Sequence, residues 1–367
     1  MHKYESTKMI SPGHILIINP GSTSTKLAIY RFNLEANNLE MIDDKLLEHS
    51  NIGEDQDLQL NQRLETVENY LNNSGITPQL IMARGAPLRP VQGGTYAVND
   101  SMISDIQTQR YSRHASNLAA LIGHHIGIKS GIPVYVTDPI TTDEFDAVAR
   151  VSGVPGLPRK SRSHALNIKA SLRKLCSQED KDFQDTSWVV CHLGGGISVA
   201  AVRDGRIVDV NDALLGMGPF SPERAGALPT SGLIKLIFEE GYDRESLEML
   251  LSKQSGLNGY LGTSDLRVIE DRIQSGDGEA QLIFDAMVYQ IAKEIAAMAS
   301  VLLFQIEGVL LTGGMANSLL LCDSITSRVS AIAPIFIKPG ENEMEALAQA
   351  GFRILNDEES VKIYKQG

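Results

Sequence analysis

The feature that most limits how this 367-residue chain can fold is a short β-type run that turns through small residues and comes straight back, and it occurs twice. The apolar run Ile15–Asn19 leads into Pro-Gly-Ser-Thr-Ser-Thr and returns as Lys26–Tyr30. Far along the chain, Trp188–Leu193 leads into Gly194-Gly195-Gly196 and returns as Ser198–Val202. Each reads as a β-hairpin, the first with a hydroxyl-rich tip and the second with a glycine tip. Tight turns of small residues let backbone N–H groups converge on phosphate oxygens, and glycine lets the backbone approach closely. The two hairpins are too dissimilar to count as a sequence repeat, yet they suggest two halves built alike.

A third turn belongs with them. In Leu310–Ser318 a strand runs into Gly313-Gly314 and a helix is expected from about Ala316. A turn of this kind can pack against a nucleoside or aim a helix N-terminus at an anion. The glycine triplet is followed by a strand rather than a helix, and Val199 stands where a dinucleotide fingerprint needs its third glycine. The chain has no Gly-Lys dipeptide and hence no Walker loop, and HExxH and GxSxG are also missing.

Between these turns the pattern alternates strand and helix. Strands are expected at Leu80–Ala83, Pro133–Thr137, Ile207–Val210, Gly308–Leu311 and Ile335–Ile337. Helices are expected over 110–128, over Gln281–Phe304 and over Glu343–Leu355, while 33–79 reads as a less regular excursion with a helical piece at Asp57–Leu71. Asp204-Gly205 is a strong hairpin turn. The Gly/Pro-rich stretch Val151–Pro158 sets the expected domain limits: 1–150 plus 341–367, and 151–340. A net charge of −12 argues against a nucleic-acid surface, and no apolar leader or membrane span is expected. Three sparse cysteines without metal spacing, Cys176, Cys191 and Cys322, suit a reducing compartment, so the cytoplasm is the expected location.

Several polar residues stand out by position. Asp138 closes a buried-looking strand, where a carboxylate serves as a Mg²⁺ ligand, a catalytic acid or simply a turn cap. Arg84 also ends an apolar run, and Arg224 lies in the Gly/Pro-rich loop Gly216–Leu228. His192 sits in an apolar strand just before the glycines, a place that also suits a satisfied core histidine.

Two phosphate-type hairpins followed by a strand-to-helix turn is the pattern of the actin-like ATPase superfamily. The resemblance sharpens to the acetate/butyrate kinase family in NPGSTSTKLAIY (19–30), HASNLAAL (114–121), VTDP (136–139), RKSRSHALN (159–167), CHLGGGISV (191–199), GPFSPERAGALP (218–229), LTGGMANS (311–318) and PGENEMEALAQAGFR (339–353). These occur in order over roughly residues 15 to 355, and the details resemble the butyrate branch. The resemblance implies an α/β fold of two actin-like, ribonuclease H-like domains around a nucleotide-binding cleft. It implies ATP/ADP and Mg²⁺ as cofactors, a small carboxylic acid as substrate, and a homodimer or higher homo-oligomer.

Roles follow from the resemblance position by position. Asn19, Ser22, Thr23 and Lys26 match the first phosphate hairpin, Gly194, Gly195 and Gly196 the second phosphate loop, and Gly313, Gly314 and Asn317 the adenosine turn. Arg84 and Arg224 match arginines that hold the carboxylate and the transferring phosphoryl group, with His114 beside the substrate. Asp138, His164 and His192 complete the catalytic set, and Asn19 and Asp138 are the expected metal-associated residues. The chemistry is consistent: a carboxylate, with a reference pKa of about 4, is already a nucleophile at neutral pH. The protein must bring two anions together and stabilise charge on phosphoryl oxygens. An acetate or propionate kinase and a non-transferring ATP-binding sensor are the alternatives. Two departures bear on the site. Ala316 stands where the adenosine turn of acetate kinase is expected to carry a metal-associated Glu, and Arg162-Ser163 replaces an apolar pair before His164.

Overall fold

The computed structural model describes residues 11–49, 55–112 and 114–365. The first ten residues, read above as lacking an apolar leader, lie outside the described ones. In chain order the elements are β1 (Gly13–Pro20), β2 (Ser24–Asn33), β3 (Asn38–Glu48), α1 (Gln56–Ser74), β4 (Leu80–Arg84), β5 (Thr95–Ala97), α2 (Asp100–Gln107), α3 (Asn117–Ser130) and β6 (Val134–Thr137). They continue as α4 (Ala165–Gln178), β7 (Ser187–Leu193), β8 (Ile197–Arg203), β9 (Arg206–Val210), α5 (Thr230–Phe238), α6 (Arg244–Lys253), α7 (Gly256–Leu261), α8 (Leu266–Gln274) and α9 (Gly278–Val301). The last are β10 (Gly308–Gly313), α10 (Leu319–Val329), β11 (Ile335–Pro339), α11 (Glu343–Leu355) and β12 (Lys362–Ile363), with 3-10 turns at Ala147–Arg150 and Gly314–Asn317.

The chain divides into two compact units, Met1–Thr141 with Asn342–Gly367, and Thr142–Glu341. Residues 142–150 fall in the second unit because Phe145 and Ala149 pack into its core and Glu144 pairs with Lys169 at 2.9 Å. The first unit carries the sheet β12-β5-β6-β4-β1-β2-β3 and the second β11-β10-β7-β8-β9. In the first, β1, β2 and β3 form an antiparallel meander and β4 and β6 continue parallel to β1. In the second, β7, β8 and β9 form the meander and β10 and β11 continue parallel to β7. The two halves share a plan, as the paired hairpins suggest.

Side-chain alternation builds both cores. Along β7, Val189, Cys191 and Leu193 enter one cluster with α9 and α10, while Trp188 and Val190 enter another with α4. Successive side chains leave a strand on opposite faces, so a strand covered on both sides reads as a continuous apolar run. In the first unit Leu16 and Ile18 pack toward α3, whereas α11 lies against Ile15, Leu80 and Met82, which crowd Gly351. The 203–206 turn is a two-residue hairpin turn, with φ 51° at Asp204 and 70° at Gly205.

Three elements differ from the sequence expectation. β3 occupies what reads as an irregular excursion, because its sequence NLEMIDDKLLE is largely exposed and its strand form comes from the backbone ladder along β2, with one cross-strand ion pair between Arg31 and Glu40. The 110–128 stretch is helical only from Asn117, after α2 ends at Gln107. After Gly313 the chain makes a 3-10 turn, and helix α10 starts only at Leu319, capped by Ser318.

Candidate active site

In the first unit, neighbouring parallel strands set three predicted residues side by side. Ile18 pairs with Ala83, and Arg84 with Thr137, so Asn19, Arg84 and Asp138 stand at the C-terminal ends of β1, β4 and β6. That edge is where open α/β sheets bind ligands. The turns after β4 and β6 approach closely: a Cβ on Gly85 would lie 2.6 Å from Pro139 Cα. Asp138 is buried in the left-handed region at φ 38°, and Gly94 N–H donates to its Oδ1 at 2.8 Å. Such a backbone costs about 1–2 kcal/mol for a non-glycine residue, so the carboxylate is held by its surroundings.

The sequence reading missed the group that joins Asn19 to Arg84. Glu343, first residue of α11, accepts Asn19 Nδ2 at 2.9 Å and Arg84 Nη1 at 2.5 Å through Oε2, while Arg84 Nη1 also lies 3.2 Å from Asn19 Oδ1. A carboxylate suits a helix N-terminus, where unpaired N–H groups carry partial positive charge. The sequence signal for it is the segment PGENEMEALA, where Glu343 stands at a helix start four residues after Pro339. Ala316, the departure noted in the adenosine turn, is 3% exposed and packed in the second unit's core, where a carboxylate would be buried.

Ser22 and Thr23 form the exposed tip of the β1–β2 hairpin, and Lys26 pairs across it with Asn19. Ser22 and His114 line one pocket of about 210 Å³ together with Gln59, Gln109 and the buried Asn117. Ser116 N–H donates to His114 Nδ1 at 3.1 Å, which places the proton of a neutral His114 ring on Nε2.

In the second unit, His164 and His192 stack with centroids 3.9 Å apart. Ser198, opposite His192 in the β7–β8 ladder, holds His164: its Oγ is 2.9 Å from Nδ1. Asn167 fixes the tautomer of His192. Its Nδ2 donates to the carbonyls of Glu341 at 2.8 Å and Gly340 at 3.3 Å, so Oδ1 faces His192 Nδ1 at 2.7 Å and must accept from it. Burial, with the nearby Arg224 charge, pushes the His192 pKa down to about 3. The ring is therefore neutral near pH 7, with an Nε2 lone pair beside Gly194.

The glycine loop is shaped by what lies on it. A Cβ on Gly196 would fall 2.0 Å from Arg224 Nη1, so the guanidinium rests against bare backbone. Ser221 Oγ donates to Gly195 O at 2.7 Å, and Arg224 Nη1 donates to Ala213 O. Arg224 Nε is buried and has no partner among the described residues, an open donor for an anion. Arg162 is paired with Asp212 at 2.6 Å, and the Ser163 hydroxyl is buried without a partner among the described residues.

Gly313 has φ 90°, and its backbone abuts the end of β7, where a Cβ would meet Leu193 O at 2.3 Å. Gly195, Gly314 and Asn317 then line one cavity of about 530 Å³ with Asp265, Arg267 and Glu270. The predicted phosphate loop and adenosine turn thus meet in one place. The Asp265–Arg267 pair (2.7 Å) and Glu270, which accepts from Ser318, went unmarked because they stand at neither a glycine turn nor a strand end, and charged residues on an amphipathic helix read as its solvated face.

Comparison with known proteins fits this build. The Acetokinase family model matches residues 159–364. The chain belongs to that family. It is 44% identical over 355 residues to "Probable butyrate kinase 2" of Caldanaerobacter subterraneus subsp. tengcongensis, covering 95% of this chain and 99% of that one. It is 42% identical, with the same coverage, to "Probable butyrate kinase" of Clostridium botulinum strain Alaska E43. Among solved structures, a propionate kinase from Francisella tularensis superposes with a TM-score of 0.75 at 18% identity, covering 92% of this chain and 98% of that one. The acetokinase fold, of the actin-like ATPase class, is therefore the fold of this chain. Among the described residues no helix is long and apolar enough to cross a membrane.

Proposed function

We propose that this acetokinase-family chain transfers the γ-phosphoryl group of ATP to a short-chain carboxylate, butyrate or a branched acid, giving acyl phosphate and ADP reversibly. The observation that carries the reading is near-full-length identity of 42–44% to relatives named "Probable butyrate kinase". Arginines beside both phosphate-type turns are consistent with it. A carboxylate oxygen attacks the γ-phosphorus in line, the bond to the bridging β–γ oxygen breaks, and ADP leaves with that oxygen. No proton moves, so no general base is needed.

In this reading Arg84 and His114 hold the acid, while the hairpin residues Ser22, Thr23 and Lys26 and the loop Gly194–Gly196 hold phosphate oxygens. Arg224, with its open Nε, stabilises charge on the transferring group, and His164 buttresses His192 by stacking. His192 offers a lone pair in its neutral state. It donates to a phosphoryl oxygen only after taking up a proton, which an arriving anion favours. Gly313, Gly314 and Asn317 seat the adenosine in the larger cavity. The side-chain oxygens of Asn19, Asp138 and Glu343 in the first unit are of the kind Mg²⁺ takes, and these residues would hold it. Bound there, the ion would neutralise phosphate charge.

The reading extends to a homo-oligomer in the cytoplasm. Helix α5 supports the first point, since TSGLIKLIF buries no side chain and leaves Phe238 80% exposed. Three buried, unpaired cysteines support the second. The test is incubation of the purified chain with ATP, Mg²⁺ and C2–C6 acids, with hydroxylamine trapping acyl phosphate as hydroxamate. Hydroxamate is expected with butyrate or isobutyrate. A preference for acetate or propionate would move the chain to the other branch, and ATP binding without hydroxamate from any acid would make it a sensor.

A further inference from the structure

Helix α1 buries three residues, and one of them is an arginine. Arg63 is 0% exposed, on the same helical face as Val67. Its Nη1 donates to Ser24 O at 2.8 Å and to Thr25 Oγ1 at 2.9 Å, and its Nη2 donates to Ser22 O at 2.9 Å. Each acceptor belongs to the tip of the first hairpin. The tip is held from a second side as well: His49 N–H donates to Thr23 O at 2.9 Å, and His49 Nε2 lies 2.9 Å from Thr25 Oγ1.

Two physical points follow. A trans peptide carries its C=O and the next N–H on opposite sides. Drawing the Ser22 carbonyl onto the buried guanidinium therefore turns the Thr23 N–H away from it, toward the exposed side of the tip. The second point concerns charge. Every acceptor of Arg63 is a neutral oxygen, and among the described residues it has no carboxylate partner. A buried guanidinium with no counter-ion is costly and is kept where an anion completes it. An apolar side chain would pack α1 against the sheet but would leave the Ser22 and Ser24 carbonyls without these donors, so the guanidinium does more than pack.

We propose that Arg63 is a positioning residue for nucleotide phosphate: it shapes the Ser22–Thr25 tip from beneath and supplies a buried positive charge whose counter-ion is the phosphate chain bound above. This rests on the reading of the hairpin as a phosphate site.

The test compares the full chain with Arg63→Met, which keeps the stem and removes the charge, and Arg63→Lys, which keeps the charge and loses the fork. ATP and AMP affinities are measured by calorimetry and the KM for the acid by hydroxamate formation. Arg63→Met should weaken ATP by about 10–100-fold and AMP by less than about 3-fold, with Arg63→Lys in between. The KM for the acid should stay within about 3-fold, since the acid is not held by the tip. A folded Arg63→Met that binds ATP within about 3-fold of the parent overturns the inference, as does an equal loss for ATP and AMP. Should Arg63→Met not fold, Thr25→Val carries the test: it removes one acceptor beneath the tip, and unchanged ATP affinity overturns the proposal. If the parent chain itself binds no ATP, the kinase reading fails rather than this inference alone.

Discussion

The two hairpin turns proposed to hold phosphate are built by opposite means. The first, Gly21–Ser24, is rich in side chains, exposed, and braced from below by Arg63 and from the side by His49. The second, Gly194–Gly196, has no side chains at all, and Arg224 lies directly on its backbone while Ser221 ties down Gly195. In the first turn the cation is hidden and the backbone is presented. In the second the backbone makes room and the cation is presented. The first turn is held from outside by hydrogen bonds to its Ser22, Thr23 and Ser24 carbonyls, whereas the second has one such tie, at Gly195, and needs bare backbone at Gly196 to admit Arg224.

The largest expected effect lies at Arg224, on the second turn, and at Arg84, beside Asn19 at the foot of the first. Arg224→Ala and Arg84→Ala should each lower kcat by about 10²–10³-fold, the scale of losing one donor to the transition state, measured as hydroxamate formation at saturating ATP. Near-parental turnover in both would remove the proposed site. A smaller effect sharpens the contrast between the turns. Gly196→Ala would drive a methyl to 2.0 Å from Arg224 Nη1, whereas a Cβ on Gly21 meets nothing closer than 3.6 Å. Gly196→Ala should cost about 10–100-fold in kcat and Gly21→Ala less than about 3-fold, and equal effects would deny the two turns different designs.

The smallest effect concerns stability. His192 has its pKa lowered to about 3 in the folded chain, against about 6.5 when unfolded. Between these values the unfolded state binds the extra proton, so stability falls as pH drops from about 6.5 toward about 3, by at most about 1.4 kcal/mol per unit. His192→Asn should flatten the loss of Tm between pH 6.5 and 4, measured by thermal melts against pH. A parallel loss in both proteins would show that His192 is not the titrating group.

Much of this fold was legible along the chain because it is written in local pattern. Short apolar runs mark β1, β2, β7 and β8, turn chemistry marks Asp204-Gly205, and helical spacing marks α9 and α11. Where local pattern is silent, reading failed: β3 is charged and exposed, and its strand form comes from pairing along β2. Helices α5 and α6 bury no side chain, so no one-sided burial disciplines their sequence.

By itself the sequence determined the two similar halves, the order of the three turns, and the residue types at strand ends, since period and turn propensity act over a few neighbouring residues. Tertiary structure decided the rest. It alone brought Glu343 to Asn19 across 324 positions, Arg63 beneath a hairpin tip 38 positions away, and Asn167 to His192 across 25. It also decided that the His192 lone pair, rather than a proton, faces Gly194 in the neutral ring. Such contacts depend on how strands and helices pack, and no local periodicity encodes which buried donor will meet which acceptor.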